Sequence, residues 1–274
     1  MLVTRLISGI ILLIIAIFTM AAGGPCLAVT LLLISLVAYR ELTKALLCAE
    51  EEHRLNGLEI LGMIGVLGYY IAVFLQSDSV YLLMCIVGVF LAEMFCYVIT
   101  FPKFKASQVM SAVFSFLYGP VMLSFVYLTR TLPEGIYTVW LILISSWGCD
   151  TCAYAVGKLI GKKKIFPVLS PHKSLEGCFG GVAGAALIGA LYGYFMLTPI
   201  VPDRPIVPIM AFICAAGAVM SMVGDLAASA IKRNHNIKDY GNLIPGHGGI
   251  MDRFDSMIVT APMVYFLALI LLQR

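Results

Sequence analysis

The chain has 274 residues, 61% of them hydrophobic and only 12% charged, with a mean hydropathy of +0.99. A water-soluble domain carries about twice that share of charge, so a soluble globular protein is excluded. The formal net charge of +3 says little by itself, and no nucleic-acid partner is expected.

A membrane-spanning helix needs about 20 mostly apolar residues. Nine stretches meet that measure, roughly 6–22, 25–47, 57–75, 80–100, 107–129, 136–157, 177–197, 206–231 and 250–272. They leave no room for a sizeable soluble domain. Their continuous apolar runs lack the period-two alternation of a barrel, and in lipid the backbone must satisfy itself, which favours helices. The expectation is an all-α polytopic membrane bundle of about nine helices. It forms one integral membrane domain, 1–274, with N-terminal membrane helices in 1–130 and the chemistry in 131–274.

Loop charge sets the orientation. With nine spans, fifteen of the eighteen Lys and Arg residues fall on the side of the N-terminus; Arg130, Arg204 and Arg274 fall on the other. That bias predicts a cytoplasmic N-terminus. Of eight cysteines only Cys149 and Cys152 form a C-x-x-C. No second pair completes a zinc site, so the cysteines read as small buried apolar residues.

In chain order, Arg5 precedes a first apolar run that is long for a signal peptide and reads as a retained helix. Gly23-Gly24-Pro25 makes a tight connection. Arg40, Glu41 and Lys44 form a charged helix end, and Glu50 to Arg54 a short polar loop. Glu93 is an acid deep in the fourth span, either pairing with a cation or serving a site. Lys103 and Lys105 set topology and touch headgroups. In the sixth span Asp150 and Tyr154, four apart, share a helix face. After Lys162, Lys163 and Lys164 comes Ser170-Pro171-His172-Lys173-Ser174-Leu175-Glu176-Gly177. Its hydroxyls and amides at a helix start suit an anion; Ser174 also suits a plain N-cap. The seventh span is rich in Gly and Ala, which fits close helix packing.

Charge concentrates in Ser221 to Ser256, which holds four acids, four bases, two histidines and five glycines. Asp225, Ser229, Lys232 and Arg233 lie at helical offsets 0, 4, 7 and 8 and form one polar stripe. Pro245-Gly246-His247-Gly248-Gly249 cannot be ordinary helix interior. Asp252 and Asp255 then sit three apart on the first turn of the last span. Carboxylates suit a hard cation, bases suit phosphates, and glycines let backbone approach a ligand. A snorkelling loop would explain Lys232 and Arg233 but not Asp225 within the span. The stretch predicts a ligand or metal site.

The run Ser229 to Asp255, S-A-I-K-R-N-H-N-I-K-D-Y-G-N-L-I-P-G-H-G-G-I-M-D-R-F-D, resembles the signature of the CDP-diacylglycerol synthases, or phosphatidate cytidylyltransferases. W-G-C-D-T-C-A-Y-A-V-G-K and S-P-H-K-S-L-E-G also resemble family segments; the latter is usually S-P-K-K-T-x-E-G, so His172 and Ser174 depart from it. The resemblance implies that CTP and phosphatidic acid give CDP-diacylglycerol and pyrophosphate. It also implies Mg²⁺ as cofactor, with a second metal ion as the alternative to one, a homodimer, and a site that faces the cytoplasm; the compact chain without a long soluble extension points to a bacterial inner membrane. Carried onto this sequence, Asp225 and Asp252 are expected as metal ligands, with Asp255 and Asp150 as further candidates. Lys232, Arg233, Lys238 and Arg253 would hold phosphates. His247 would donate to the leaving pyrophosphate or make a purely structural hydrogen bond. Gly246, Gly248 and Gly249 would let amides approach the triphosphate, and Ser170, Lys173, Ser174 and Ser229 would complete the substrate pocket. Two alternatives remain at this level: a CTP-dependent transferase or kinase acting on another lipid, and an ion-coupled transporter using Asp150, Glu93 and Asp225.

Overall fold

The structure, a computed structural model, describes residues 2–46, 55–76, 78–167, 169–246 and 248–272. Nine helices are found among them: α1 (Leu2–Ala22), α2 (Gly24–Ala45), α3 (Gly57–Phe74), α4 (Ser79–Ile99), α5 (Ala106–Thr131), α6 (Gly135–Ile160), α7 (Leu175–Leu197), α8 (Ile206–Asn234) and α9 (Met251–Leu272). Each falls on one of the nine apolar stretches. Eight are long and apolar enough to cross a bilayer, and α1 contributes a shorter apolar stretch, Ile7–Ala22. The protein is therefore an all-α polytopic membrane protein. The polar loop Glu50 to Arg54 lies outside the described residues.

Helix geometry is local and legible. The turn from α1 to α2 uses left-handed Gly23 (φ 64°) and Gly24 (φ 47°), conformations costly for other residues. Asn56 caps α3: its side chain accepts from the Glu59 amide at 2.9 Å, and Glu59 accepts from the Asn56 amide at 3.0 Å. Wide π turns interrupt α5 at Leu117–Val121, where Pro120 supplies no amide, and α6 at Ile144–Gly148. Between α6 and α7 lies a small antiparallel hairpin, β1 (Lys164–Phe166) and β2 (Ser170–Ser174), pairing Lys164 with Ser174 and Phe166 with Ser170. The apolar runs do not signal this hairpin.

The chain forms two units, one of Met1–Tyr127 with Asn234–Arg253, the other of Leu128–Arg233 with Phe254–Arg274. In the first, Tyr39, Leu42, Leu58, Val66 and Phe116 are buried. Two tyrosines keep their hydroxyls paired inside it: Tyr70 with Ser35 at 2.6 Å and Tyr69 with Ser124 at 3.1 Å. On α4 most of the spanning window is outward-facing, and Leu83, Met84, Phe95 and Val98 are at least 60% exposed, a surface suited to hydrocarbon. Val89 and Glu93 face inward, and Glu93 is fully buried, with no hydrogen-bond partner at either carboxyl oxygen among the described residues.

In the second unit small residues set helix spacing. A Cβ on Gly181 of α7 would lie 2.9 Å from the Cys149 sulfur of α6, and one on Gly184 would lie 2.5 Å from the Cys152 sulfur. The two cysteines of the C-x-x-C thus act as compact packing groups against glycines. Gly184→Val is expected to destabilise this pair by about 1–3 kcal/mol through overpacking. The check is the melting temperature in detergent, with Gly68→Ala, whose added methyl meets open space, as the unchanged control.

Candidate active site

In the second unit a cavity of about 460 Å³ opens beside the hairpin. Asp150, Tyr154 and Lys158 line it from α6, Lys164, Ser170, Lys173 and Ser174 from the two strands, Gly177 and Cys178 from α7, and Met222 from α8. The four-residue spacing of Asp150, Tyr154 and Lys158 puts all three on one face of α6, as expected for the first two. Pairing with β1 holds β2 against the start of α7. There Ser174 caps the helix, its Oγ accepting from the Gly177 amide at 3.2 Å. Glu176 in turn accepts from the amides of Lys162 (3.0 Å) and Lys163 (3.3 Å), which fixes the approach to the hairpin.

Lys173 reaches from this wall to Asp225 of α8, an ion pair of 2.5 Å. The lysine nitrogen is buried, and the Asp225 side chain is 32% exposed. The cavity lining therefore combines the Asp150 carboxylate with three ammonium groups, and one of the three, Lys173, pairs with Asp225. Such a wall attracts a polyanion and offers hard oxygen ligands to a cation.

Further along α8, Ser229 and Lys232 are half-buried and Arg233 is exposed; none of the three lines the cavity. Gly224 brings α8 close to α9, since a Cβ there would lie 2.7 Å from the Asp255 carbonyl oxygen. That approach sets Asp225 one residue from the backbone of Asp255, which is buried and whose carboxylate accepts from the Ser256 amide at 2.7 Å.

The first unit carries the glycine-rich loop. Ile244 donates to the Gly248 carbonyl at 2.9 Å, closing a tight turn around left-handed Gly246 (φ 77°) and Gly248 (φ 83°). Asp252 is 7% exposed, and its Oδ2 accepts from the amides of Tyr240 (2.8 Å) and Gly249 (3.0 Å). The Gly249 amide thus points at a carboxylate of the same chain. Lys238 and Gly246 are exposed and Arg253 is half-buried. His247 and the His172 side chain lie outside the described residues.

Three residues with no assigned role stand at these sites. Lys158 and Lys164 line the cavity, although basic loop residues read in sequence only as topology signals. Glu41, expected as part of a charged helix end, is buried and accepts from the amides of Ile250 (3.1 Å) and Met251 (2.8 Å). Among the described residues no group of three or more His, Cys, Asp or Glu is arranged as a metal cage.

Residues 3–271 match the profile of the cytidylyltransferase family. A Bacillus subtilis (strain 168) protein named phosphatidate cytidylyltransferase is 39% identical over 133 residues, spanning 48% of each chain. Over nearly full length, 267 residues covering 96% of this chain and 97% of the relative, identity is 29% to the phosphatidate cytidylyltransferase of Staphylococcus epidermidis (strain RP62A). It is 28% to that of Staphylococcus saprophyticus over the same shares. With its profile matched from the first helix to the last, the chain belongs to the cytidylyltransferase family.

Proposed function

We infer that the protein is a membrane nucleotidyltransferase that joins CTP to phosphatidate, giving CDP-diacylglycerol and pyrophosphate. The observation that carries the local reading is the Lys173–Asp225 ion pair at the wall of a cavity that also holds Lys158, Lys164 and Asp150. A phosphate oxygen of the lipid attacks the α-phosphorus of CTP. A new phosphorus–oxygen bond forms, the α–β bridging bond breaks, and pyrophosphate leaves with the electron pair. The attacking oxygen is already anionic at neutral pH, so no strong protein base or covalent nucleophile is needed. Positioning and charge remain as the main catalytic terms.

Lys158, Lys164 and Lys173 hold phosphate oxygens against the cavity wall, and Ser170 and Ser174 donate their hydroxyl hydrogens. Lys232, Arg233, Lys238 and Arg253 hold further phosphate charge, His247 donates to the leaving pyrophosphate, and Ser229, Gly246, Gly248 and Gly249 shape the approach. The cofactor is Mg²⁺, one ion or two. The donor chemistry fits: Mg²⁺ takes one or two carboxylates and completes its shell with substrate phosphates and water, so a cage of three protein acids is not required. The family motif supports Asp225 and Asp252 as carboxylates that would hold it, with Asp150 and Asp255 as further candidates. When bound, Mg²⁺ supplies positive charge to the phosphate oxygens. The N-terminus and the site face the cytoplasm, a reading supported by the Lys and Arg bias. The setting is a bacterial inner membrane, and the protein works as a homodimer.

The direct test is transfer of radiolabel from CTP into a chloroform-soluble product, run with several lipid phosphates. Labelling that requires phosphatidate supports the reaction; labelling of another lipid alone, or none, overturns it. Lys238→Ala is expected to raise the KM for CTP or phosphatidate about tenfold, the loss of one charge-assisted contact. Unchanged KM for both substrates would remove Lys238 from the binding set.

A further inference from the structure

We propose that Glu41 is a positioning residue for the transfer: its buried carboxylate fixes the glycine-rich loop and the first turn of α9, from which Asp252 is presented. The proposal rests on the assignment of Asp252 to the reaction.

The first amides of a helix have no partner within the helix and are usually met by a capping side chain next door. The residues just before α9 are Gly248, Gly249 and Ile250, which offer no such side chain. The acceptor comes instead from α2, 209 positions earlier. Glu41 Oε1 takes the Ile250 amide at 3.1 Å and Oε2 takes the Met251 amide at 2.8 Å. The positive end of the α9 dipole favours a carboxylate there. The loop is also cut to fit it. A Cβ on Gly249 would lie 2.5 Å from both Glu41 oxygens, and one on Gly241 would strike the same carboxylate.

Asp252 continues the arrangement, its Oδ2 taking the Tyr240 and Gly249 amides. Glu41 therefore grips the backbone immediately before Asp252, and Asp252 grips both ends of the loop. A buried carboxylate carries a desolvation cost that plain packing at the end of α2 would avoid. Four directed amide bonds to two carboxylates are what hold the loop in one shape. One corollary concerns substrate: a helix start behind a glycine-rich loop reads as a phosphate site, yet these two amides are taken by Glu41. Phosphate contacts then fall to side chains.

The experiment uses the full chain in membranes, with Glu41→Gln, Glu41→Ala and Glu41→Asp compared with the parent. Two quantities are read: amide exchange by mass spectrometry, and kcat with KM for both substrates. In Glu41→Gln and Glu41→Ala, exchange across 240–252 is expected to accelerate tenfold or more while α3 and α5 keep their protection. The kcat is expected to fall about thirtyfold or more with each KM within threefold. Glu41→Asp keeps the charge and should recover part of both. Gly249→Ala, which pushes a methyl into the carboxylate from the other side, should reproduce the loosening and serves if Glu41→Ala fails to fold.

Unchanged exchange in the loop, a loosened loop with parental kcat, or loss of protection throughout α1–α5 would each overturn the proposal. Asp252→Asn separates the two levels. If it keeps parental turnover, the assignment of Asp252 fails. If it is inactive while Glu41→Gln is fully active, only the role of Glu41 fails.

Discussion

Asp225→Asn is expected to lower kcat by a factor on the order of 10³ or more, the scale seen when a directed charge is removed from a reacting phosphoryl or acyl centre. The change preserves shape and removes charge. Two consequences add. Asparagine is a poor ligand for a hard divalent cation, and Lys173 loses the anion that its buried nitrogen faces. Half of a pair left without its counter-charge is disfavoured in a low-dielectric setting, so Lys173 should swing towards substrate phosphate or solvent. The readouts are label transfer from CTP and the amount of inserted protein. Turnover within twofold of the parent, in protein that inserts normally, would remove Asp225 from the reaction.

Asp252→Asn is expected to cost activity on the order of 10²-fold or more and to loosen its own loop. Its Oδ2 accepts two amides, from Tyr240 and Gly249. Hydrogen bonds to a charged group contribute about 1.5–3 kcal/mol against about 0.5–1.5 for neutral pairs. Neutralising the acceptor therefore weakens the loop even though an oxygen remains. The two effects separate experimentally: turnover reports the lost ligand, and amide exchange at Tyr240 and Gly249 reports the weakened bonds. A variant that keeps parental turnover and parental exchange would refute both roles.

The helices were legible because lipid leaves so few options. Continuous apolar runs of about 20 residues admit one backbone solution, and the helices fall where the runs do. The closeness of α6 and α7 was legible too, in the Gly and Ala content of the seventh span. The cavity was half legible. Asp150, Ser170, Lys173 and Ser174 stood out as polar groups beside apolar helices. Lys158 and Lys164 did not, because a lysine that lines a cavity and one that merely faces the cytoplasm look alike until the chain folds. Glu41 was hidden for a different reason. Its partners are backbone amides 209 and 210 positions away, and backbone amides have no letter in a sequence. The trace it left was indirect: Gly249 read as an opening for a phosphate, yet it and Gly241 both make room for a carboxylate of the chain itself. The hairpin escaped because its two strands of three and five residues are shorter than any periodicity can reveal.

Ser174 ends the second strand, caps α7 and lines the cavity, and the missing side chains of Gly157, Gly161 and Gly177 leave room for its Oγ. One residue thus serves strand, helix and cavity at once. A ligand that draws this oxygen inward must tug on the helix start and on the strand pairing in the same movement, so occupancy of the pocket would be felt along α7 without any hinge. Directed evolution of the pocket should accordingly keep a hydroxyl at this position.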